Sequence, residues 1–369
     1  MTANWTNDSH RKFLERVRTN RPKVRSEIEE HIAEALALLD NYKVFELLAY
    51  VFMNNGLADE GSYSEAHQEG CFGFVEYAIS LALAKPHNPS AQERPTKDKL
   101  ERFLYLVEHI YKSAWHYHSS EIVEGKYAHG EQYLRTSTMM RHMFLRGDSY
   151  PTHHKELFIS LFEPHNEFLL KSFGFDALSF LKNSEEIELQ VQAALHRCVE
   201  AHKLLIKLHQ KFVEFADSHD LGDLDLEDVF ATFNNLPEVE LLNSELQNFS
   251  THQDIGIFEV APNANTPMPL LDLLSAHFGD NAQYIDQTPS GWPLNPSVFK
   301  TRPLIKDNGK YYCFAPQSLH YNLPDILEDL IKQASSVYFN ETFQKRRGKV
   351  LEDLSANYLR ASNKSHSRN

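Results

Sequence analysis

Glycine, proline and cysteine are all scarce in this chain of 369 residues, at 14, 16 and 3. The composition excludes collagen-like, coiled-coil-only and wholly disordered chains, and so little glycine and proline argues against a loop-rich β-fold. Cys71, Cys198 and Cys313 are odd in number and far apart. They make neither a CxxC pair nor a disulfide framework, which fits a reducing cytosol. No apolar run reaches the roughly 18–20 residues of a membrane span, and the opening Met1-Thr2-Ala3-Asn4-Trp5 carries no signal-length apolar stretch. The sequence therefore predicts a cytoplasmic protein without a membrane partner.

Nucleotide and hydrolase signatures are missing as well. There is no GxxxxGK[ST], no GxGxxG and no GxSxG. HExxH is absent, and so is the Glu-x-x-His pair of a helical di-iron site.

What is present is a soluble composition, 42% hydrophobic and 24% charged, with 24 Phe and 16 Tyr. That balance predicts helices with aromatic packing. A length of 369 residues exceeds one ordinary core and predicts two domains. The net charge of −14 is uneven: residues 1–26 carry seven Lys or Arg against two acids, and residues 340–369 seven against three. An acidic body with basic ends argues against coating nucleic acid with the whole surface, but leaves both ends able to contact a polyanion.

Apolar spacing predicts helix after helix over residues 1–235. Ile28, Ile32, Leu36 and Leu39 recur at helical intervals, with Pro22 read as near the start of that helix. A long helix is predicted from about Asp176 to Phe215, and 119–135, punctuated by glycine, as a loop or short hairpin. From 236 to 369 the texture changes to a smaller α+β region. Ile255 to Val260 reads as a strand. Asp307-Asn308-Gly309 closes a hairpin over 302–314, because these residues tolerate the positive φ of a tight turn. Two C-terminal helices follow. The expected fold class is mainly α: a multi-helix N-terminal domain, then an α+β region with one β-hairpin.

Twenty histidines invite a metal reading. His116 with His118, and His153 with His154, are spaced for chelation on a loop, whereas a shared helix face needs i, i+3 or i, i+4. His202 and His209, seven apart, suit either a site or a helix–helix seam, which leaves open a structural homo-oligomer built on the long helix. His219-Asp220 resembles the central pair of HD phosphohydrolases. Arg197 to His202, Arg102 to His109 and Arg135 to His142 resemble the Arg-x(4–6)-His motif of HEPN domains. That resemblance implies a metal-independent RNase in which His acts as acid or base and Arg holds a phosphate.

One ordered set covers about 295–358: Phe299-Lys300-Thr301-Arg302-Pro303-Leu304-Ile305, Gly309-Lys310-Tyr311-Tyr312, a helix, then Arg347-Gly348-Lys349-Val350-Leu351-Glu352. It resembles the lead-in to a PD-(D/E)XK, restriction-endonuclease-like nuclease domain in large bacterial proteins. The resemblance implies a carboxylate role for Glu352 at Mg²⁺, and phosphate contacts for Lys345, Arg346, Arg347 and Lys349. The rest of that carboxylate set would have to follow Glu352 and does not. The chain as it stands is therefore expected to hold no cofactor and to lack nuclease activity. It is expected to be the arm of a longer protein or one that has lost its nuclease half. The resulting expectation is a non-catalytic recognition, regulatory or scaffolding region of a nuclease-type protein, with prokaryotic defence as the implied context. The alternatives are a HEPN-like RNase or a His-site metalloenzyme, and the homo-oligomer.

Overall fold

The computed structural model describes residues 7–56, 71–86, 88, 93–123, 129–143, 151–218, 226–247 and 255–366. The first four helices are α1 (Asn7–Asn41), α2 (Val44–Gly56), α3 (Cys71–Leu83) and α4 (Lys97–Val123). α1 buries Ile28, Ile32, Ala35 and Leu39, and α4 buries Phe103, Leu106, Val107 and Ile110. Intervals of three and four residues line one face of each. α1 and α4 run antiparallel, since Arg21 meets Ser120 at one end and Glu34 meets Arg102 at the other. α3 is apolar nearly all round: Val75, Tyr77, Ala78, Ile79, Leu81, Ala82 and Leu83 are all buried, and it lies innermost.

α5 (His129–Met143), α6 (Pro151–Phe162), α7 (Asn166–Phe173), α8 (Ala177–Ser218), α9 (Leu226–Asn234) and α10 (Pro237–Gln247) follow. Gly174, at φ +78°, ends α7 by donating its N–H to the Leu170 carbonyl. Asp176 then starts α8 by accepting the Ser179 N–H at 2.7 Å.

The remainder is β1 (Glu259–Val260), α11 (Met268–Leu273), β2 (Ser275–Ala276), β3 (Leu304–Asp307), β4 (Lys310–Tyr312), α12 (Pro316–Tyr321), α13 (Leu323–Ala334) and α14 (Gln344–His366). The strands form one sheet, ordered β1-β4-β3-β2, antiparallel except for β2 beside β3. Asn308 at φ +48° and Gly309 at φ +78° make the two-residue turn between β3 and β4, which suits the right-handed twist of the strands.

This small sheet is wedged between two apolar cores. Successive residues point to opposite faces of a strand. Ile305 and Tyr312 therefore enter the core of α1–α4, while Leu304 and Tyr311 enter the core of α6, α7, α8 and α13. Aromatic rings seal the first contact: Phe45 of α2 lies 4.4 Å from Tyr312 and 5.7 Å from Phe314, between ring centroids. A third, smaller core joins the end of α8 to α9 and α10 through Phe215, Val229, Phe233 and Val239.

The structure is mainly α with a small α+β C-terminal region, as the composition and spacing predict. Three expectations are corrected. Residues 119–123 complete α4 and 129–135 belong to α5, with Gly130 in its first turn, while 124–128 lie outside the described residues. Pro22 lies inside α1, a helix that begins fifteen residues earlier at Asn7. Ile255–Phe258 is a 3₁₀ turn, and only Glu259 and Val260 pair, with Tyr312 and Tyr311. Among the described residues no helix is long and apolar enough to cross a membrane.

Candidate functional site

Near the C-terminal end of α4, the α1–α4 seam opens into a cavity of about 360 Å³. Arg16, Asn20 and Val24 face it from α1, at the i, i+4, i+8 spacing of one helix edge, with Arg21 beside them. α4 supplies His116, Tyr117 and Ser120. Two guanidiniums and an imidazole thus border one concavity. Among the described residues, no carboxylate pairs with Arg16.

The floor is held from below. Arg21 Nε donates to Ser120 Oγ at 3.1 Å, and Ser120 Oγ donates to the Tyr117 carbonyl at 2.6 Å. The Arg21 guanidinium carbon lies 5.8 Å from the Tyr117 ring centroid, within cation–π range. Tyr117 rests edge-on against Trp292 at 4.9 Å, and Trp292 is 1% exposed. His118 packs on the same indole at 5.4 Å, with Nδ1 3.4 Å from a Glu121 oxygen. Burial lowers the His118 pKa, opposed by Glu121. Trp292 is itself placed by Gly291, whose carbonyl accepts the Tyr77 hydroxyl at 3.0 Å.

Most of the cavity surface is apolar, and the charged groups at its border are of a kind that can bind an anion. The Arg16 guanidinium can offer a phosphate two parallel N–H donors, whereas Arg21, with Nε on Ser120 and Nη2 buried, contributes its charge. The Tyr117 ring gives a second face on which a base can stack.

The residues singled out from sequence are dispersed. Arg197 and His202 are both exposed on α8; five residues of α-helix turn through about 140° beyond a full circle, so they do not share a face. Arg102 and His109 do share one face of α4, with Tyr105 between them: Arg102 lies over the Tyr105 ring at 5.1 Å, and that ring stacks on His109 at 5.3 Å. Both guanidinium edges nearest α1 are taken by Glu34, at 2.8 and 2.5 Å. A phosphate there would have to displace a bidentate carboxylate. Arg135 pairs with Glu131 at 3.1 Å, and the His142 side chain lies outside the described residues.

Of the paired histidines whose side chains are described, only His116 lines the cavity, and it lies on α4 rather than on a loop. His154 is buried beside His320, with ring centroids 5.3 Å apart, and the His153 side chain lies outside the described residues. His219 and Asp220 lie outside them too. Among the described residues, no group of three or more His, Cys, Asp or Glu side chains is placed to hold a metal ion.

At the C-terminus, Arg346 Nη1 donates to the Pro164 carbonyl at 2.6 Å and Arg347 pairs with Glu328 at 2.8 Å. These two arginines dock α14 onto the body. Lys345, Lys349 and Glu352 are exposed.

Sequence reasoning marked residues 1–26 as basic but not which of them meet α4. The signal was Arg16, Asn20 and Val24 at helical spacing, hidden by reading Pro22 as a helix start. No family model, no curated protein and no solved structure matches this chain.

Proposed function

We propose that the chain is a non-catalytic recognition region that holds single-stranded nucleic acid by its phosphates in the α1–α4 cleft. The observation that carries this reading is the grouping of Arg16, Arg21 and His116 around one cavity floored by Tyr117. The basic stretch 1–26, net positive on an acidic chain, supports it by giving a polyanion a basic end to approach at the cleft. The resemblance over 295–358 supports placing the region in a larger nuclease-type protein of prokaryotic defence, whose nuclease half would bring Mg²⁺ and give Glu352 its role.

The test is fluorescence anisotropy of a labelled single-stranded oligonucleotide across a salt series. Each phosphate contact adds about 0.7 to the slope of log K against log salt for a single strand. Replacing both arginines, Arg16→Gln with Arg21→Gln, is expected to weaken binding by about tenfold or more at 0.1 M salt and to flatten that slope by about 1.4. Unchanged affinity and slope would remove the cleft from the account.

A further inference from the structure

We infer that α8 pairs antiparallel with α8 of a second copy of this chain. One side of α8 is already covered: Ala201 and Phe215 are buried, and Leu208 and Phe212 pack into the third core. The other side carries a second apolar stripe. Val199, His202, Ile206, His209 and Val213 follow one another at intervals of three and four, a repeat of 3.5 residues. Val199, Ile206 and Val213 are 39%, 46% and 44% exposed, and both histidines are exposed. A helix lying on its own protein needs one stripe, whereas a second in heptad register is what packing against another helix requires.

The stripe is wide enough. Leu205 is exposed beside it, and exposed Phe230 of α9 stacks on Phe212 at 5.3 Å, which extends the apolar surface. Together the five exposed side chains present on the order of 400 Å² of apolar surface, within the roughly 300–600 Å² of the largest patch on a monomer, which is often an interaction site. A standard interface buries about 800 Å² per partner, a little over half of it apolar, so the patch comes close to the apolar share of one side.

Charge along the neighbouring edge selects both the partner and its direction. At seven-residue intervals that edge reads His196, Lys203, Gln210 and Asp217, basic at the N-terminal end and acidic at the C-terminal end. A parallel copy would set Lys203 against Cys198 and Asp217 against Phe212 of the second copy, the e-to-g pairing of parallel helices, and would leave both charges without an opposite one. In an antiparallel pair with its two-fold axis between Ile206 and His209, Ile206 packs against His209 of the second copy and Val213 against His202. Asp217 of the second copy then comes level with Cys198 and nearest His196, while Lys203, which also pairs with Glu200 at 2.7 Å, comes nearest Gln210. The same patch serves both copies, as a two-fold interface demands.

Sedimentation and light scattering of the full chain test this. At about 50 μM, where a dimer with a Kd of about 1 μM is mostly assembled, the expected mass is twice 42.6 kDa. Ile206→Glu, on an exposed position outside the three cores, is expected to give a monomer with unchanged far-ultraviolet circular dichroism. Asp217→Lys is expected to weaken the dimer about twofold to fivefold, and adding His196→Asp, the e-position residue nearest Asp217 of the second copy, to restore it, since exposed ion pairs are modest but reversible in sign. A monomeric wild-type chain, or a dimer that Ile206→Glu leaves intact, overturns the pairing. Dissociation by Ile206→Glu without rescue by the charge exchange overturns the antiparallel arrangement.

Discussion

Arg21 Nε and Ser120 Oγ meet at 3.1 Å across the α1–α4 seam, 99 residues apart in the chain. The serine holds the guanidinium over Tyr117 and has no charge of its own, so it acts on a ligand only through Arg21. Ser120→Ala is therefore expected to weaken oligonucleotide binding about threefold to fivefold while leaving the salt slope unchanged, because the number of phosphate contacts is the same. Arg16→Gln is expected to do the reverse: a smaller slope, by about 0.7, with Arg21 still in place. Anisotropy titrations of the two variants at three or more salt concentrations separate positioning from charge. Equal slopes in both variants would place Arg16 outside the contact.

How much of this was legible in the sequence depended on how local the cause was. α8 runs Ala177–Ser218 against an expected Asp176 to Phe215, because one apolar face repeats over its whole length and Asp176 caps it. The β3–β4 hairpin was readable from Asp307-Asn308-Gly309, which can turn in only a few ways. β1 and β2, two residues each, were not readable: they exist only because β4 and β3 lie beside them. The cleft was hidden for the same reason. Arg16 and Arg21 become neighbours of His116 and Ser120 only once α1 and α4 are laid antiparallel with a definite rotation. Isolated Arg–His spacings such as Arg197 and His202 carry no such rotation, and the helix separates them.

Gly291 sits at φ +65°, and a Cβ built on it would lie 2.9 Å from Ile32 Cγ2. Both the left-handed backbone and the contact oppose a side chain. Gly291→Ala is expected to destabilise the fold by about 2–4 kcal/mol, read as a lowered midpoint in urea. It should also shift the tryptophan emission, since Trp292 follows directly in the chain. Adding Ile32→Ala removes the clash but not the backbone cost, so the double variant should regain only part of the shift in Trp292 emission. Full recovery would mean that the positive φ contributes nothing.

Asn281 is completely buried and bridges three segments. Its Nδ2 donates to the Ser80 carbonyl at 2.8 Å and to Ser297 Oγ at 3.2 Å, and its Oδ1 accepts the Val298 N–H at 2.9 Å. Asn281→Leu strands those partners and is expected to cost about 3 kcal/mol or more. Asn281→Asp keeps the shape but sets a carboxylate oxygen against the Ser80 carbonyl. Only the protonated acid can donate there, so burial and this contact raise its folded pKa above the unfolded value. The sign follows: stability is greatest at low pH and is lost as pH rises through the folded pKa. Urea midpoints for Asn281→Asp should therefore rise, relative to Asn281→Leu, on going from pH 7 to pH 4. A flat difference would rule out the protonated acid as a donor.

His165 supplies the opposite pH dependence. It is buried between α6 and α7, its Nδ1 2.8 Å from the Tyr338 hydroxyl, with Tyr338 stacked on Phe168 at 3.9 Å. Burial lowers its pKa to about 4, and the nearby Arg346 guanidinium adds to the shift. In the unfolded chain the imidazole titrates near its ordinary value of about 6.5. Between these two values the unfolded chain takes up a proton that the folded chain refuses, so stability rises with pH across that window and levels off above it. Acidification from about pH 6.5 toward 4 should thus loosen the contact that seats Tyr338 and the start of α14 on α7. His165→Gln cannot take up that proton. Its midpoint is expected to lie below wild type at pH 7.5 and to approach it by pH 4.5, with His109, His118 and His320, also lowered by burial, keeping both curves sloped. Thermal melts of the two proteins across this range decide it: a gap that stays constant with pH would show that His165 carries no proton-linked part of the stability.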